Sequence, residues 1–166
     1  MDVTIRPVEA DEYAQLGALT VAAYVALDGY VRDPDYEVEL YDVRSRAEAA
    51  ATSVLVAVDA DDRLLGGVTF VEGSESPFFE HHLDGAAAIR MLAVDPAAQG
   101  RGVGESLLRA CLEQARHLDR RAIVLHSSTT MRAAHRLYER AGFTRDPDHD
   151  LSFPGIELLA FRLELG

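Results

Sequence analysis

The 166-residue chain contains no lysine: all sixteen basic residues are arginine, against twenty-eight acidic ones, for a net charge of −12. Without lysine, a Schiff-base nucleophile and the lysine of a P-loop are both excluded. The shortage of positive charge argues against nucleic-acid binding, since proteins that hold phosphate backbones present a basic surface that releases counterions. Cysteine is nearly absent as well. The lone Cys111 rules out an intrachain disulfide and fits a reducing compartment. It sits among Leu107, Leu108 and Leu112 on an apolar helical repeat, where a thiol reads as a small core side chain rather than a nucleophile. No apolar run approaches the roughly 18 residues that span a bilayer. The opening MDVTIRPVEADE has no basic segment followed by an apolar one, so a cytoplasmic protein without a membrane partner is expected.

What is present is an ordinary globular composition, 48% apolar and 27% charged, at a length that suits one domain over residues 1–166. Val3-Thr4-Ile5 before Arg6-Pro7 predicts a short strand ending at proline. Tyr13, Leu16, Leu19, Ala23, Leu27 and Tyr30 recur at helical steps, and a weaker helical pattern covers 36–51. The period then shortens. Residues 53–58, an acidic turn at 59–62 and residues 63–71 predict a hairpin. A polar loop over 72–85 leads to a third strand at 86–94.

Val103, Leu107, Leu108, Cys111, Leu112, Ala115 and Leu118 predict an amphipathic helix, and Ala122 to His126 a buried strand parallel to the one before that helix. A second helix is expected over 129–141, closed by Gly142 in a left-handed cap with Phe143 packing back on it. A final strand is expected over 156–165, with a further short one near Phe143-Thr144. The fold class is mixed α/β (α+β), antiparallel first and parallel after the crossover.

Between the third strand and the amphipathic helix lies Gln99-Gly100-Arg101-Gly102-Val103-Gly104. A helix N-terminus offers unpaired N–H groups and about half a positive charge, and glycines let an anion approach the backbone. A P-loop is impossible without lysine. The dinucleotide fingerprint would need glycine at Glu105 and an N-terminal βαβ setting. What remains is Q-x-x-G-x-G.

With LAVDP at 92–96, QGRGVG at 99–104 and LYERAGF at 137–143, the chain resembles the GNAT superfamily of acyl-CoA N-acyltransferases. The resemblance implies a centrally splayed sheet of six to seven strands flanked by about four helices. It also implies an enzyme using acetyl-CoA to acetylate a small-molecule or peptide amine, with homodimers common in the family. Backbone groups in Leu92-Ala93-Val94, those of Leu92 and Val94 in particular, would pair with the pantetheine arm. N–H groups from Gln99 to Gly104, namely Gln99, Gly100, Arg101, Gly102, Val103 and Gly104, would hold the pyrophosphate, and Tyr138 would protonate the departing thiolate. A catalytically silent acyl-CoA-binding module is the competing expectation, because Ala86-Ala87-Ala88-Ile89 lacks the family's usual glutamate and Met131 replaces its asparagine.

Glu72, His126, His81 and His82 are the candidate bases, and no metal site is expected, adjacent His81-His82 being poorly placed to chelate. The acids of 72–84 with Asp146, Asp148 and Asp150 form a rim that could attract a cationic acceptor.

Overall fold

The computed structural model describes residues 2–80 and 83–166; His81 and His82 lie outside the described residues. In chain order its elements are β1 (Thr4–Pro7), α1 (Tyr13–Val25), α2 (Pro34–Tyr41), α3 (Val43–Ala47), β2 (Thr52–Val58), β3 (Leu64–Val71), β4 (Ala86–Val94), α4 (Val103–His117), β5 (Ala122–Ser128), α5 (Arg132–Arg140), β6 (Thr144–Arg145), β7 (Leu151–Phe153) and β8 (Ile156–Glu164). The strands form one sheet ordered β1-β2-β3-β4-β5-β8-β6, with β7 paired to β8. Only β4 and β5 run parallel, joined by α4 as crossover.

Period-two alternation feeds both faces of the sheet. Leu55 and Ala57 pack beneath α4 with Phe70, Ala87 and Ile89, whereas Val54, Val56 and Val58 meet Leu16 of α1 and Val43 of α3. On α4, Val103, Leu107, Leu108, Cys111, Leu112 and Ala115 are buried, the stripe the sequence predicts. Each of its three leucines contributes about 1.5–3 kcal/mol of transfer free energy.

Eight strands and five α-helices, among the described residues, exceed the expected six to seven and about four. The pattern over 36–51 is two helices because Asp42 leaves the helical region (φ −80°, ψ 71°) and starts α3 afresh, accepting from the Ser45 N–H at 3.2 Å and its hydroxyl at 2.6 Å. The stripe expected to reach Tyr30 stops at Val25, and Asp28-Gly29 turns the chain, Gly29 at φ +80°. The added strand is β7, a hairpin arm whose Phe153 faces Ile156 across the Pro154-Gly155 turn.

The sheet opens at its centre. β4 and β5 pair only at Ala86↔Ala122, Ala87↔Ile123 and Ala88↔Val124. Beyond Ala88, β4 follows β3 instead. The β3–β4 register slips between Gly67 and Thr69, and opposite that slip Met91 takes φ +55°, a bulge that turns the strand away from β5.

Candidate active site

Two features flank the gap between β4 and β5, and a third lies buried on α5. The first is a strand edge. The Asp95 N–H donates to the Leu65 carbonyl at 2.8 Å. Ala93, two residues back, therefore turns its peptide groups to β3 as well, and those of Leu92 and Val94 point into the gap.

The second is the glycine turn. Asp95 holds its approach, accepting from the Ala97 N–H at 3.0 Å through its side chain and from the Ala98 N–H at 2.7 Å through its carbonyl. Gly100 and Gly102 then take φ +80° and +78°, values that favour glycine, and a Cβ at either would meet nothing within 4 Å. They leave open space at the head of α4, beside exposed Gln99 and Arg101. Gly104 differs. Its φ is ordinary, and an added Cβ would lie 3.3 Å from Leu137 Cδ2, so it serves the packing of α4 against α5.

The third is Tyr138, 4% exposed on α5. Gly142 at φ +101° ends that helix, and the Phe143 N–H donates to the Tyr138 carbonyl at 3.0 Å, the cap expected from the sequence. The ring packs 5.8 Å from both Phe143 and Phe161. Burial, then the proximity of Cys111, pushes its pKa well up, so the phenol stays protonated. Cys111 is pushed up to about 12 by burial alone, which leaves no thiolate for covalent chemistry.

A match to the acetyltransferase (GNAT) family model covers residues 19–143, most of the chain. The chain belongs to this family. It is 37% identical over 87 residues to a mycothiol acetyltransferase of Geodermatophilus obscurus, a match covering 51% of this chain and 26% of that one. The chain thus spans about a quarter of the length of the curated relatives it matches. In structure it resembles a GNAT-family acetyltransferase of Staphylococcus aureus Mu50 (TM-score 0.80, 14% identity, 99% and 100% of the two chains covered). It also resembles a Salmonella typhimurium protein solved with its cofactor acetyl-CoA (TM-score 0.66, 23% identity, 100% and 95% covered). Members of this family use acetyl-CoA.

Within this GNAT domain the candidate bases separate. Glu72 follows β3, whose last residue Val71 pairs with Ala88, so it lies by the closed end of the gap. His126 on β5 sits at hydrogen-bond distance, 2.9 Å, from the His149 carbonyl. Among the described residues, three of the rim's seven acids stand beside a basic side chain: Glu80 pairs with Arg90 at 3.0 Å, Asp150 with Arg145 at 2.5 Å, and Asp146 lies 2.8 Å from the His149 imidazole. Met131, at the family's asparagine position, is the N-cap of α5 with no side-chain cap bond.

Sequence reasoning passed over a polar cluster on the face opposite α4. Arg46 of α3, 2% exposed, donates from Nε to the Thr69 hydroxyl at 3.0 Å and from its other nitrogens to the carbonyls of Glu39, Leu40 and Asp42. Thr69 is the ladder partner of Arg90 on β4. Tyr24 of α1 and Tyr36 of α2 close the cluster, their rings edge-to-face at 6.0 Å. The signal was a single charge inside the apolar strand AAAIRMLAV.

Proposed function

We propose that this domain is an N-acetyltransferase that transfers the acetyl group of acetyl-CoA to the amine of a small-molecule or peptide acceptor. The observation that carries this reading is the glycine turn, open at Gly100 and Gly102 and directly following the strand that parts from β5; Tyr138, a neutral phenol, lies buried on α5. Backbone N–H groups from Gln99 to Gly104 bind the pyrophosphate, and Leu92 and Val94 pair with the pantetheine amides as an added strand would. That docking directs the thioester into the gap and fixes its orientation, a contribution of several kcal/mol to the barrier.

The acceptor's neutral nitrogen attacks the thioester carbon directly. A C–N bond forms and the C–S bond breaks. Tyr138 donates its proton to the departing sulfur, and the nitrogen gives up its own proton to the surroundings. An ammonium with a pKa near ~10.4 must give up about 4.6 kcal/mol to become neutral at pH 7, so the acceptor side has to favour the uncharged amine. Buried Cys111 supports no acyl-enzyme.

The test is acetyl-CoA-dependent release of free CoA thiol across a panel of amines. Turnover with at least one class is expected. Tight acetyl-CoA binding without turnover would instead support the silent acyl-CoA-binding module, which the absence of a carboxylate at Ala86–Ala88 favours.

A further inference from the structure

On the sheet face opposite α4, two guanidinium groups flank one threonine. Arg46 reaches Thr69 from the α3 side through its 3.0 Å bond, and Arg90 stands across the ladder from Thr69, its side chain 17% exposed. All the hydrogen bonds that Arg46 makes among the described residues go to a hydroxyl or to carbonyls, and none to a carboxylate. The nearest carboxylate on its own segment, Asp42, accepts from Ser45 instead. Among the described residues Arg90 pairs with the Glu80 carboxylate at 3.0 Å, and its guanidinium lies 5.8 Å over the Phe78 ring. Glu80 is 46% exposed, so their ion pair is of the partly solvated, readily exchanged kind.

Two cations close enough to feel one another stand here in a strongly acidic molecule. At Tyr36 the effect of Arg90 exceeds that of either Glu80 or Glu39. The position adjoins the reaction gap. Arg90 lies two residues before Leu92, across the Met91 bulge, and the peptide groups of Leu92 face the gap. Tyr24 is close enough to sense both Arg90 and Tyr138.

We propose that Arg90, backed by the buried charge of Arg46, is the receptor for a carboxylate on the acceptor, which makes the acceptor an amino acid rather than a simple amine or polyamine. The inference rests on the acetyltransferase reading above. Glu80 holds the receptor in the free enzyme and yields it when the acceptor's carboxylate arrives. A planar fork suits this ligand, because guanidinium and carboxylate can form two parallel bonds. Phe78, Tyr24 and Tyr36 supply apolar surface beside it. Bound this way, an amine only a few bonds from its carboxylate reaches the gap.

The test compares kcat/KM for each common L-amino acid and its neutral carboxamide, with acetyl-CoA saturating and thiol release as readout. The carboxamide amine loses its proton more readily, which biases the comparison against the proposal. For amino acids that turn over, the carboxylate form should be favoured by roughly 10- to 100-fold, the effect of a charge-assisted bidentate contact. Arg90→Met should bring that ratio close to one. Glu80→Gln, which removes the competing carboxylate, should lower KM for amino acids severalfold, a gain that a damaged fold cannot mimic.

Equal use of carboxamides by the wild-type protein, or a Glu80→Gln variant that binds amino acids no better, would overturn the carboxylate receptor while leaving the acetyltransferase intact. Calorimetric titration with acetyl-CoA separates the two claims, since failure to bind acetyl-CoA at all removes the underlying reading.

Discussion

At the scale of single residues, Tyr138 serves two ends with one ring. Its edge-tilted contacts with Phe143 and Phe161 close α5 onto the core, while its hydroxyl is the proposed acid. Burial makes the phenol a weaker acid than usual, and even an ordinary phenol near ~10 is uphill of a thiol near ~8.5 by roughly 2 kcal/mol. Protonation of a fully formed thiolate is therefore unfavourable. Donation has to accompany C–S cleavage, in a dry site that raises the thiolate's own basicity too. A thiolate is also a tolerable leaving group unaided. Tyr138→Phe should then reduce kcat by about 10- to 100-fold, at the lower end of what general acids contribute. Because Phe keeps the ring contacts, its melting temperature should stay within a few degrees of wild type. Tyr138→Ala removes the ring itself and should cost about 3–5 kcal/mol of stability. Full turnover by the Phe variant, measured by thiol release beside a thermal melt, would leave the tyrosine with its packing role alone.

Among elements, the join between β4 and α4 separates two uses of glycine that look alike in the sequence. Gly102 caps the helix at φ +78° with open space before it, so Gly102→Val meets only backbone strain of roughly 1–2 kcal/mol while its side chain occupies that space. Acetyl-CoA affinity should drop at least about tenfold, in keeping with the loss of one or more charge-assisted contacts, with a modest fall in melting temperature. Gly104→Val reverses the balance. It crowds Leu137, and calorimetry should find stability reduced more than affinity.

The strands, the α4 stripe and the Gly142 cap were legible because each is decided by local period or local φ. The break at Asp42 was not, since a capping aspartate inside a weak apolar pattern resembles an ordinary helical surface residue until its side chain is seen to bind Ser45. Arg46 was harder still: its partner Thr69 is 23 residues away, and only the packing of α3 on β3 makes a buried arginine of a residue that reads as solvated. The glycine motif was legible because backbone shape determines it. The proposed acceptor side draws on side chains of α1, α2, α3, β3 and β4, and no spacing along the chain encodes it.

For the whole molecule, two electrostatic effects oppose each other as pH falls. The chain carries a net charge of −12 with histidines neutral and has an isoelectric point near 4.8, so at pH 7 its surface repels itself. As pH falls toward that isoelectric point the excess shrinks, and relief of repulsion favours the compact state. Against this stand carboxylates whose folded pKa values are depressed. The Arg32 guanidinium holds Glu37 at about 2, Arg6 lowers Glu12, and the Ser45 hydroxyl and N–H lower Asp42.

For such groups the unfolded chain binds protons first. Their stabilisation is fully present above the unfolded values of ~3.9 to ~4.3 and is lost as pH drops through those values toward about 2. The two effects act in different windows, so neither cancels the other. Urea midpoints should rise or stay level from pH 7 to about 5, then fall steeply below about 4.5. Glu37→Gln should flatten the acid limb between about pH 4.5 and 2, where its carboxylate titrates in the unfolded chain but not in the folded one, and leave the pH 5–7 limb as it is. An unchanged acid limb in that variant would show that the Arg32–Glu37 pair contributes nothing measurable to folding, as exposed pairs often do not, and would pass the acid sensitivity to Glu12 and Asp42.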